Sequence, residues 1–68
     1  MDFKVKIERI DSRLEIMLGK TGDILEVKDG FLISSSGFHW GRGDFQKLSD
    51  LNEFFETLNT SFELHLLN

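Results

Sequence analysis

No cysteine, proline, alanine or tyrosine occurs among the 68 residues of this chain. Without cysteine, neither a disulfide framework nor a thiolate zinc site can support the fold, so packed side chains must supply the core alone. Without alanine, the apolar residues are nearly all large, with seven Phe and ten Leu within a 40% hydrophobic composition. That supply suits a single small domain. Long apolar runs are missing as well, which leaves nothing long enough to read as a membrane span. The opening MDFKVKIERI is charged and alternating, unlike a secretory leader. A soluble, cytoplasmic protein is the expectation.

Positive charge is missing from one end. Residues 1–47 hold all eight Lys and Arg together with eight acids and are neutral, whereas residues 48–68 hold Asp50, Glu53, Glu56 and Glu63 and no basic residue. The whole net charge of −4 therefore lies on the tail. Phosphate backbones reward cations, so this tail weighs against nucleic acid as its partner. The domain divides into a charge-neutral strand and hairpin region, 1–47, and an acidic extension, 48–68.

Alternation of Phe3, Val5 and Ile7 with Lys4, Lys6 and Glu8 predicts a half-buried first strand. Leu14, Met17 and Leu18 fit one short helical turn, after which Gly19 and Gly22 mark a reversal. Asp29-Gly30 between apolar runs predicts a two-residue hairpin pairing Lys28 with Phe31 and Val27 with Leu32. A second tight turn at Ser36-Gly37 would pair Ser35 with Phe38 and Ile33 with Trp40. Phe31, Ile33, Phe38 and Trp40 would then share one face, and Leu25, Val27 and Leu32 the other. In the tail, Asp50 and Glu53 have capping-box spacing. Leu51, Phe54, Phe55 and Leu58 line one helical face, and Asn59 would end that helix. Phe62, Leu64 and Leu66 alternate with Glu63, His65 and Leu67 in a last strand able to pair with the first. A sheet apolar on both faces is either bent into a barrel or covered twice. The expected fold is mostly β: a small barrel with a C-terminal helix and closing strand. The alternative is an α+β open antiparallel sheet with one packed helix.

Val5-x-Ile7 followed by Leu18-Gly19-Lys20-x-Gly22-x-Ile24-x-x-Val27 resembles the KOW-type small SH3-like barrel. Gly22 stands at the family's turn glycine. The later GFHW and DFQKL segments look like the closing part of an SH3-like barrel, so the resemblance spans roughly residues 3–48. It implies contact with RNA or with partner proteins. An RNA or ribonucleoprotein surface would draw on Lys4, Lys6, Arg9, Arg13 and Lys20, with Glu8, Asp11 and Glu15 interleaved among them.

Other motifs have plainer explanations. LGKTGD ends like a phosphate-binding loop, but Leu14 stands where that loop needs glycine, and a strand follows where it needs a helix. His39 and His65 lack the neighbours of a zinc site. Ser34, Ser35 and Ser36 near His39 suit a turn better than a nucleophile. Arg42-Gly43-Asp44 spells an integrin-type tripeptide, yet no leader or disulfide accompanies it. Phe31, Phe38, Trp40 and Phe45 could line a peptide groove, but a chain this small needs most of its rings in the core. The reading is a small non-enzymatic module, of the kind found among bacterial and phage accessory proteins, with no cofactor and no metal. It would recognise a protein partner through Arg42, Asp44, Asp50, Glu53 and Glu56. Nucleic-acid contact through the basic group is the alternative.

Overall fold

The computed structural model describes residues 2–57 and 62–67. Seven elements follow in order: β1 Phe3–Ile10, α1 Ser12–Leu18, β2 Ile24–Lys28, β3 Phe31–Ile33, β4 His39–Trp40, α2 Leu48–Thr57 and β5 Phe62–Leu67. The strands form one antiparallel sheet in the order β4-β3-β2-β1-β5. The fold is mostly β, as expected, and the last strand pairs with the first. The sheet is open among the described residues, with β4 and β5 as its two edges. It differs from the expected barrel at closure, and from the open-sheet alternative in having two helices rather than one.

Register decides which residues are buried, because paired residues share a face. Val5 lies opposite Leu25, and Val27 lies opposite both Phe3 and Leu32. Ile7 lies opposite Leu64. These side chains meet Leu14 and Leu18 of α1, Leu51 and Phe55 of α2, and Phe45 from the intervening segment in one buried cluster. Ile10 would point away from this face if the strand simply alternated. A bulge between Ile7 and Arg9 inserts Glu8 as the extra residue, which brings Ile10 opposite Phe62 and back toward the core.

The Asp29-Gly30 hairpin has the expected register, Lys28 with Phe31 and Val27 with Leu32. Both turn residues take positive φ, 53° and 85°. The second hairpin departs from expectation by one residue. Ser34 is buried, its hydroxyl accepts the Phe38 N–H at 2.9 Å, and its own N–H donates to the Phe38 carbonyl at 2.8 Å. Ser34 to Phe38 thus closes a wider loop, and Ile33 pairs with His39 while Leu32 pairs with Trp40. The consequence is a change of face. Trp40 joins the core side with Leu32, whereas Ile33 and Phe31 lie on the opposite side with His39 and Glu26. Phe31, Ile33, Phe38 and Trp40 therefore do not form a common face.

α1 is a real helix capped by Asp11, whose carboxylate accepts the Arg13 N–H at 2.9 Å. Leu14 and Leu18 are buried, but Met17 is half exposed, since its position turns it off the Leu14–Leu18 stripe. α2 begins at Leu48, before the expected cap. Asp50 is its third residue, and the carboxylate reaches back to the Gln46 and Lys47 N–H groups at 2.8 and 3.1 Å. The expected contribution of Leu58 and stop at Asn59 lie outside the described residues. No described helix is long and apolar enough to cross a membrane.

Candidate functional site

The segment from Gly41 to Phe45 is held against the first hairpin. The Phe45 N–H donates to the Gly30 carbonyl at 3.0 Å. A Cβ at Gly30 would overlap the Gly43 carbonyl, so only glycine lets the two backbones meet. Phe45 then turns into the core at 4% exposure. Its ring meets Phe54 edge to face, with centroids 5.4 Å apart. Arg42 and Asp44 are left exposed beside the first turns of α2.

Between this segment and α2 lies an open cleft of about 370 Å³, lined by Arg42, Asp44, Phe45, Asp50, Glu53, Phe54 and Thr57. Four of the five residues expected to contact a protein partner meet here. The fifth, Glu56, does not. Asp50, Glu53 and Thr57 lie on one side of α2 at helical spacing, and each further step of three residues rotates the position by about 60°, which carries Glu56 away. Glu56 borders a separate depression with Asn52, Phe55 and Phe62.

Three carboxylates and one guanidinium surround a floor of two phenyl rings, so the cleft is net negative. Asp50 is held in place by its two backbone N–H partners. The Gln46 N–H bond is the main cause that holds its carboxyl below the usual carboxylate range; partial burial opposes it, and the Lys47 N–H bond and charge add to the lowering. Arg42 makes no ion pair or side-chain hydrogen bond among the described residues. A cation on an aliphatic stem fits this arrangement. Its charge would meet Asp44 and Glu53, and its stem would lie over the exposed part of Phe54.

The basic group expected to touch nucleic acid is dispersed. Lys4 and Lys6 lie on the uncovered sheet face, opposite Glu26 and Ile24. Arg9 pairs with Glu63 at 3.4 Å, and Arg13 grips the Asp11 carboxylate at 2.9 Å. That grip lowers the Asp11 pKa, chiefly through the Arg13 side chain. Lys20 sits in the turn closed by its own N–H bond to Asp23. The serines serve their loop: Ser34 Oγ bonds Ser36 Oγ and the Phe38 N–H, and His39 Nδ1 lies 3.1 Å from the Gly37 carbonyl. Among the described residues no group of three or more His, Asp or Glu is placed to share a metal ion.

One surface was only half legible in the sequence, which marked Phe38 and Trp40 but not Ile16 and Met17. Ile16 at 93% exposure, Met17 at 49% and Phe38 at 61% surround Trp40, whose ring meets Phe38 at 5.4 Å. The sequence signal was the pair Ile16-Met17 in a helix with only one buried stripe. No family model matches the chain, and no curated protein or solved structure matches it either.

Proposed function

We propose that this chain is a small, non-enzymatic interaction module of the cytoplasm that grips a basic side chain of a protein partner in the cleft beside α2. The observation that carries this reading is the meeting of Arg42, Asp44, Asp50 and Glu53 around the Phe45–Phe54 floor. The negative balance favours a Lys or Arg of the partner, and Arg42 adds a donor for a nearby carbonyl or carboxylate. The SH3-like likeness of residues 3–48 agrees with recognition of an extended peptide, and rests on glycine and aliphatic spacing. Nucleic-acid contact draws less support, because Arg9 and Arg13 already face carboxylates.

Selection of peptides from a random displayed library tests the reading. Selected peptides are expected to be enriched in Lys or Arg next to an apolar residue, and to lose binding to the Asp44→Ala/Glu53→Ala double variant. Selection of acidic or purely apolar peptides, or binding unchanged in that variant, overturns it.

A further inference from the structure

The two edges of the sheet are unlike. β4 is two residues long and lies between Gly37 and Gly41, both at positive φ. So short an edge is a poor template for another strand. β5 is six residues long and lies in the part of the chain that has no Lys, Arg or Pro. Among the described residues it pairs only with β1. It has no Lys or Pro of the kind that commonly guards an edge, and its one charged residue, Glu63, faces Arg9 of the neighbouring β1 at 3.4 Å. Leu66, on the core side of β5, is 45% exposed.

A second copy fits this edge. Antiparallel extension keeps paired side chains on one face, so Phe62, Leu64 and Leu66 must meet one another, as must Glu63 and His65. A two-fold axis at Glu63 would oppose two carboxylates. An axis at His65 would oppose two imidazoles and leave Glu63 against Leu67. An axis at Leu64 places Glu63 opposite His65 twice and Phe62 opposite Leu66 twice. Only this last register gives complementary polar pairs and also covers the exposed Leu66. We infer that two copies of this chain associate through antiparallel β5 strands centred on Leu64, joining their sheets into one. The interface is isologous, as a two-fold axis requires. It is also small, which places the association in the weak class. It uses the sheet edge and stands independently of the cleft beside α2.

Sedimentation from about 10 μM to about 1 mM, the range suited to a weak complex, is expected to show concentration-dependent dimer. His65→Glu puts like charges opposite each other at two places and is expected to weaken the dimer about tenfold. Glu63→His/His65→Glu reverses each pair and is expected to restore it. Cysteine cross-linking reads the register directly, since the native chain has no competing thiol. A mixture of the Glu63→Cys and His65→Cys proteins is expected to form a disulfide-linked dimer on mild oxidation, and neither alone. Circular dichroism melts establish that each variant is folded. A wild-type chain that stays monomeric throughout overturns the inference, as does preferential linkage of either cysteine variant to itself.

Discussion

Asp50 has more than one role because of where its carboxylate points. It is one of the acids around the cleft, and it also takes two N–H groups at the start of α2. Its pKa is lowered chiefly by the Gln46 N–H bond, and that of Asp11 chiefly by the Arg13 side chain and then by the Arg13 N–H. A depressed carboxylate adds stability above its unfolded pKa of about 4, and that contribution is lost as pH falls through the folded value. Melting temperature is therefore expected to fall in acid, and Asp11→Ala/Asp50→Ala is expected to be less stable at neutral pH with a flatter acid limb. Thermal melts by circular dichroism between about pH 2 and pH 7 test this, and an unchanged acid slope contradicts it. The acidic character of Asp50 was evident in the sequence. Its place inside the helix was not, because spacing from Glu53 cannot tell a cap from a third residue when Gln46 and Lys47 supply the N–H groups.

Between elements, backbone contact at Gly30 ties the first hairpin to the segment carrying Arg42 and Asp44. Gly30→Ala would combine a φ of 85° with overlap on the Gly43 carbonyl. It is expected to cost about 2 kcal/mol or more, read by chemical denaturation, and to weaken binding at the cleft by displacing Arg42 and Asp44. Full stability in this variant contradicts the packing described. The two hairpins show why some local structure was legible and some was not. Asp29-Gly30 accepts positive φ at both positions, so its register follows from the dipeptide. Ser36-Gly37 carries a similar signal, but the buried Ser34 hydroxyl bonds the Phe38 N–H and adds a residue to the loop. One residue then moves Trp40 to the core side and leaves Phe38 exposed. No dipeptide rule contains that hydroxyl. The β1–β5 pairing was legible from alternation at both ends, whereas the bulge at Glu8 shows only once Ile10 must face Phe62.

Across the whole molecule, a core without cysteine depends on a few large side chains shared between the sheet and both helices. Phe55 is 2% exposed and stacks edge to face with Phe54 and Phe62. Phe55→Ala is expected to cost about 3–5 kcal/mol, a large share of what a small domain has, and to abolish cooperative unfolding near body temperature. Glu56→Ala, on the surface away from the cleft, is expected to change stability by less than about 0.5 kcal/mol and leave peptide binding unaltered. The assembly of Arg42, Asp44, Asp50 and Glu53 into one cleft was only partly legible. The residues themselves stood out as charged or glycine-flanked, but their meeting depends on Phe45 turning inward beneath them. The proposed function depends on this cleft receiving a basic side chain. Its most direct test is titration of isotope-labelled protein with a Lys- or Arg-containing peptide from the library, followed by amide NMR shifts. The largest shifts are expected on Arg42, Asp44, Phe45, Glu53 and Phe54. Shifts centred on Lys4 and Lys6, or on Ile16 and Phe38, would contradict it.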